Sequence, residues 1–102
     1  MITLFLRYTF DPNKIRDFRT YVDAELDPIC RCGGQIIGYF LPTEFAGPTN
    51  EACGLIDFES LAAYEQYRAA LANDPAHKTN ATRLEESGAI VSVNRSLIQR
   101  AG

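Results

Sequence analysis

Two strand–helix–strand units follow one another along this chain and occupy nearly all of its 102 residues. The clearest element is the second helix, which Ser60 can cap and which carries apolar side chains at three- and four-residue steps up to Leu71. Asn73-Asp74-Pro75 then ends this helix, because proline lacks a backbone donor and clashes with the preceding turn. Helices that alternate with strands in this way predict a sheet with helices packed against it.

The first strand, residues 2–10, alternates between two different faces. The face predicted to lie in the core consists of Ile2, Leu4, Leu6, Tyr8 and Phe10. The other face is mixed and consists of Thr3, Phe5, Arg7 and Thr9. This second face is therefore neither an ordinary solvent-facing surface nor a fully buried one.

An amphipathic first helix follows and is predicted to reach about residue 30. Asp11 can cap it, and Pro12 suits its first position. Its apolar stripe consists of Ile15, Phe18, Val22, Leu26 and Ile29. The side predicted to face solvent carries the charged residues Lys14, Arg16, Asp17, Arg19, Asp23 and Glu25.

The rest of the chain completes a sheet. Residues 35–41 and 51–58 predict the second and third strands, joined as an antiparallel hairpin by a loop rich in proline and glycine. Residues 76–87 predict a short irregular or helical excursion, and residues 89–99 predict the last strand. The order β-α-β-β-α-β predicts an α+β, ferredoxin-like fold in one domain, residues 1–102, with a four-stranded antiparallel sheet and both long helices on one face.

The uncovered face of that sheet predicts self-association. It is semi-apolar, with Phe5 and Arg7 in the first strand and Ile90, Ser92 and Asn94 in the last. A bare sheet of this mixture is usually covered by a second copy. We therefore expect a homodimer with a cavity near the joined sheets.

Several classes of function are disfavoured by composition. The formal net charge is -3 and no dense Lys/Arg run is present, which argues against a nucleic-acid partner. The apolar N-terminus has no basic region before it and is interrupted by Arg7, so it predicts a strand rather than a signal peptide, and no segment is long enough for a membrane span.

The odd number of cysteines, three, favours a reducing, cytoplasmic location. Cys30-Arg31-Cys32 has no second pair and predicts no metal site.

Candidate cavity-lining residues are the polar strand positions and the single histidine: Arg7, Tyr39, Asp57, His77 and Asn94. A structural pair between Arg7 and Asp57 is favoured over a ligand carboxylate on Arg7. His77 is expected to face solvent or to bond within a loop. This chain has no tryptophan and no asparagine in its first strand, and we predict no haem and no other cofactor. No catalytic set can be identified by spacing.

The chain resembles the NIPSNAP family, within the wider dimeric α/β-barrel group. The resemblance rests on Tyr8-Thr9-Phe10 followed by Pro12 and Lys14, on Asp57-Phe58-Glu59-Ser60-Leu61-Ala62-Ala63-Tyr64, on Asp74-Pro75, and on the stretch from Ile90 to Leu97. It implies a homodimer that joins sheet to sheet and closes a barrel. It implies no single biochemical activity. In related barrels that degrade haem, a histidine lies near the position of His77, together with the cavity asparagine and tryptophan that this chain lacks.

Two functions of different classes remain. The favoured hypothesis is a non-catalytic dimeric module that binds a small apolar ligand or a protein partner, because no acid–base pair is visible in the sequence. The alternative is a cofactor-independent, monooxygenase-like enzyme that holds its substrate in the barrel cavity. Polar groups that converge in an apolar cavity would favour the enzyme.

Overall fold

The computed structural model describes all 102 residues and shows one four-stranded antiparallel sheet with strand order β2-β3-β1-β4. In chain order the elements are β1 (Ile2–Phe10), a short 3-10 turn (Pro12–Lys14), α1 (Ile15–Arg31), β2 (Gln35–Phe40), β3 (Glu51–Phe58), α2 (Leu61–Ala72), α3 (Pro75–Ser87) and β4 (Ile90–Ile98). The shortest dimension is 18 Å, as one helical layer on one sheet would give. The predicted ferredoxin-like fold is confirmed.

The core lies between the helices and the even-numbered side chains of β1. Leu4, Leu6, Tyr8 and Phe10 are buried, whereas their odd-numbered neighbours are not. Phe18 of α1 is fully buried; its ring centroid lies 5.0 Å from that of Tyr8 and 5.6 Å from that of Phe10. Aromatic pairs at such spacing stabilise a core beyond their buried area. The strand alternation thus aligns one face of β1 with the apolar stripe of α1. Leu26 is the exception in that predicted stripe, because it is 37% exposed.

Residues 75–87 form a regular third helix of 13 residues, as the helical alternative of the prediction expected. Asp74 caps α3 by accepting a hydrogen bond from the His77 backbone N–H at 3.0 Å, and Pro75 takes its first position. Gly88 ends it with a φ of 69° in the left-handed region. Asp74-Pro75 therefore ends α2 and begins α3 in one step. None of the helices has the length and apolar character needed to cross a bilayer.

A bulge in β4 changes which residues share a face. Phe10 pairs with Ile90, but Thr9 pairs with Ser92, so Val91 is the extra residue. Ile90 consequently lies on the helix side and packs against the core. The expectation that Ile90 shares the open face with Ser92 is wrong, because one inserted residue reverses the alternation beyond it.

Candidate functional site

The sheet face opposite the helices carries a shallow hollow of about 300 Å³. We call it the open-face hollow; among its lining residues are Phe5, Arg7, Phe40, Glu51, Cys53 and Asn94. Arg7 lies directly opposite Asn94 in the β1–β4 register, so these two predicted residues do share a surface. The Arg7 guanidinium lies 4.0 Å from the Glu51 carboxylate, and 60% of the Arg7 side chain is exposed. An ion pair this open contributes little to stability.

Asp57 does not pair with Arg7. It lies opposite Thr3, whose hydroxyl donates a hydrogen bond of 2.5 Å to the Asp57 carboxylate. The residue opposite Arg7 is Cys53, four positions along β3 from Asp57, or about 13 Å away at the rise of a strand. The predicted Arg7–Asp57 pair is therefore wrong. The sequence could not exclude it, because the register between two strands is not visible in either strand alone.

Tyr39 lies on the helix side of the sheet and not on the open face. It pairs with Gly54 in the register, and a β-carbon added to Gly54 would come within 2.7 Å of the Tyr39 ring. Glycine therefore leaves the space that this ring occupies beside Tyr8, with ring centroids 6.3 Å apart. Burial raises the pKa of Tyr39 well above its usual value. The ring thus acts as part of the core.

A buried carboxylate joins α1 to α3. Only 2% of Glu25 is exposed, and it accepts hydrogen bonds from three side chains: His77 Nδ1 at 2.5 Å, the Tyr21 hydroxyl at 3.2 Å and Asn80 Nδ2 at 3.2 Å. Asn80 also donates to the Tyr21 carbonyl at 2.9 Å. Both oxygens of the carboxylate are thereby satisfied, as a buried charge requires. We call these four residues the buried polar cluster.

The expectation that His77 faces solvent or bonds within a loop is wrong. His77 lies in the first turn of α3, and only 23% of its side chain is exposed. Its Nδ1 and an oxygen of Glu25 are close enough that a proton must lie between them, since two bare lone pairs would repel. The structure therefore contains an acid–base pair that sequence spacing did not reveal.

The charge pattern of α1 predicted Glu25 on the solvent-facing side of the helix, and this prediction is wrong. A usable signal existed, because Glu25 follows Phe18 by seven residues and precedes Ile29 by four. Residues at these spacings share one face of a helix, and both apolar neighbours are fully buried. A lone carboxylate on the apolar stripe predicts a buried, partnered charge.

A second hollow of about 340 Å³ opens between α3 and β4, on the helix side of the sheet. We call it the helix-side cleft, and it is lined by Leu6, Tyr8, Tyr21, Ala81, Leu84, Glu85, Ile90, Val93 and Arg95. Seven of these nine residues are apolar or aromatic, and Tyr21 connects the cleft to the buried polar cluster. Such a lining, with a few polar groups, is typical of small-molecule sites.

The tyrosines around the cleft differ in their electrostatic environment. Burial, then the neighbouring Tyr8 and Glu25, raise the pKa of Tyr21, so its hydroxyl stays protonated. Burial also raises the pKa of Tyr64, but the guanidinium groups of Arg95 and Arg68 lower it by more, and the net change is downward. The positive charge of Arg95 is therefore directed toward the helices.

Comparison with known proteins agrees with this geometry. The NIPSNAP family model matches residues 3–101. A NIPSNAP family protein with unknown function from Agrobacterium tumefaciens has a TM-score of 0.85 at 22% identity, over 99% of this chain and 88% of that one. An uncharacterized NIPSNAP-like domain protein from Burkholderia xenovorans has a TM-score of 0.80 at 25% identity, over 97% and 84% of the two chains.

A more distant likeness shares the fold alone. A putative antibiotic biosynthesis monooxygenase from Nitrosomonas europaea has a TM-score of 0.75 at 6% identity, over 100% of both chains. Among proteins with curated descriptions, none matches this sequence. The family match covers nearly the whole chain, and this chain therefore belongs to the NIPSNAP family.

Proposed function

We propose that this protein is a homodimeric module that binds a small, largely apolar molecule in the helix-side cleft. The observation that carries this proposal is the cleft itself: about 340 Å³ with apolar and aromatic walls and two charged lining residues, Arg95 and Glu85. Its volume lies within the range of small-ligand sites, about 300–1,000 Å³. The open-face hollow is less suitable, because only seven of its fourteen lining residues are apolar or aromatic, against seven of nine in the cleft.

The open sheet face supports the homodimer. Nine residues of β1 span about 30 Å and four strands about 19 Å, so its projected area is about 570 Å². Projecting side chains raise the accessible area above this figure, toward the roughly 800 Å² that each partner buries in a standard interface. Phe40 remains 49% exposed on this face and Ile98 42%. A second copy would remove these apolar groups from water.

Ligand binding is tested with N-phenylnaphthylamine, a neutral apolar probe that fluoresces when it leaves water. Val93 lines the cleft and is 49% exposed, so Val93→Trp should occupy the cleft without unfolding the protein. Val91→Trp is the matched control, because Val91 is 71% exposed and does not line the cleft. We expect Val93→Trp to weaken probe binding at least about tenfold, roughly 1.4 kcal/mol, and Val91→Trp to leave it unchanged. Equal binding by both variants would contradict the proposal.

Dimerisation is tested by sedimentation velocity at micromolar concentration. Leu55 lies opposite Phe5 near the centre of the open face, so Leu55→Arg should place a charge in the interface and yield monomers. Leu26→Arg is the control, because Leu26 is an exposed residue of α1 on the other side of the molecule. A wild-type monomer would refute the homodimer, as would dissociation caused equally by both variants.

We also propose a cytoplasmic location. The three thiols, Cys30, Cys32 and Cys53, are all free, which suits a reducing compartment.

A second candidate function is a cofactor-independent, monooxygenase-like enzyme, and the Glu25–His77 pair favours it. This pair reaches the cleft through Tyr21, which donates a hydrogen bond to Glu25. The Glu25 carboxylate can take a proton, through the Tyr21 hydroxyl, from a phenolic substrate. The phenolate then reduces dioxygen, one oxygen atom enters the product as a quinone carbonyl, and the other leaves as water. The test is oxygen uptake with a hydroquinone. We expect the wild type to take up oxygen faster than the spontaneous rate, and Glu25→Gln to abolish this excess. A wild-type rate equal to that of the buffer would exclude this substrate class.

A further inference from the structure

Arg95 is a cation at the cleft without a carboxylate partner. We propose that the ligand of the helix-side cleft is a small apolar monoanion, such as an aromatic or branched carboxylate, and that Arg95 binds its charged group. This inference rests on the proposed binding function and names the chemical class of its ligand.

The strand register places the Arg95 side chain on the helix side of the sheet. Arg95 pairs with Leu6, a buried residue of β1 whose side chain faces the helices. Burial raises the pKa of Tyr8 and of Tyr67, and the charge of Arg95 acts in the opposite direction on both. Arg95 therefore lines the cleft on the helix side of the sheet, where it remains exposed to solvent.

Two arginines of this protein, Arg7 and Arg31, have acidic partners, and Arg95 of the cleft lining has none. Arg31 pairs with Asp27 and Asp74, and Arg7 lies 4.0 Å from Glu51, but no salt bridge involves Arg95. Glu25 cannot serve, because its two oxygens are already bonded within the buried polar cluster. A guanidinium beside apolar walls is suited to a carboxylate, which it can bind through two parallel hydrogen bonds.

The surrounding charges favour one negative charge on the ligand rather than two. Glu85 lines the same cleft, and Glu25 lies behind Tyr21. Both carboxylates repel a second negative charge, which a single arginine would not neutralise. The apolar part of the ligand would lie against Leu6, Leu84, Ile90 and Val93. The cleft thus selects for a compact hydrophobic acid over a phosphate-rich metabolite.

Two related probes separate this inference from the proposed function. Anilinonaphthalene sulfonate has nearly the same aromatic rings as N-phenylnaphthylamine but carries one negative charge, so it stands in for the acidic ligand. Arg95→Gln removes the cation, and Arg83→Gln is the control, because Arg83 is an exposed residue of α3 outside the cleft lining. We expect Arg95→Gln to weaken sulfonate binding about tenfold, the effect of one partly exposed charged contact, and to change binding of the neutral probe less than about twofold. Arg83→Gln should change neither.

Salt gives an independent readout. Raising the ionic strength should weaken sulfonate binding to the wild type and have much less effect in Arg95→Gln, because screening acts on the charged contact alone. Suppose that the wild type binds the neutral probe, that Val93→Trp abolishes this binding, and that Arg95→Gln leaves sulfonate binding unchanged. The anion inference is then overturned and the binding function stands. If neither probe responds to Val93→Trp, both are overturned.

Discussion

Removing the buried carboxylate of Glu25 should destabilise the protein strongly. In Glu25→Ala, His77, Tyr21 and Asn80 all lose their bond to this side chain. Breaking a buried charged pair by removing one partner costs about 3–5 kcal/mol. The lower part of that range applies, because His77 is 23% exposed and can reach water, and Asn80 keeps its bond to the Tyr21 carbonyl. We therefore expect a loss of about 3 kcal/mol.

The assay is urea unfolding followed by circular dichroism, with a thermal melt beside it. A loss of this size lowers the melting temperature by roughly 12–24 °C for a chain of this length. Glu25→Gln keeps an oxygen acceptor and should cost about half as much. The control is Glu65→Ala on the exposed side of α2, expected to change stability by less than about 0.5 kcal/mol. A loss below about 1 kcal/mol in Glu25→Ala would refute the claim that this cluster joins α1 to α3.

Three further predictions test other parts of the structure. Gly54→Ala should cost about 1–3 kcal/mol in a thermal melt, because the new β-carbon would lie 2.7 Å from the Tyr39 ring. Gly88→Ala should cost about 1–2 kcal/mol by urea unfolding, because its φ of 69° is left-handed. Hydrogen bonds from Arg31 lower the pKa of Asp74 in the folded protein below its unfolded value near 3.8. The ionised carboxylate therefore stabilises the fold above that pH, and this stabilisation is lost as the pH falls through the lowered folded-state pKa. The stability difference between wild type and Asp74→Asn should thus shrink as pH falls below about 4, and a constant difference would contradict this linkage.

The fold could be predicted because its signals are local. The alternation of β1 and the apolar stripe of α1 each assign one face of one element, and Asp74-Pro75 marks a boundary by its own backbone chemistry. Sheet order then follows from the two connected strand–helix–strand units. None of these inferences needed the register between strands.

The candidate site could be predicted only in part, because it depends on that register and on packing between elements. Arg7 and Asn94 were correctly placed on one surface, but Asp57 lies about four residues too far along β3 to join them. His77 and Glu25 are 52 residues apart, so no local pattern connects them. Their contact exists because α3 is a full helix that packs against α1, whereas its sequence is only weakly amphipathic.

The most direct test of the binding proposal is a methyl NMR titration of the wild-type protein with naphthalene carboxylate. Binding in the helix-side cleft predicts shifts of the methyl signals of Leu6, Leu84 and Val93, which line it. The methyl signals of Leu55, on the open sheet face, should remain in place. Shifts confined to Leu55, or no saturable shift at any of the cleft methyl groups, would contradict the account.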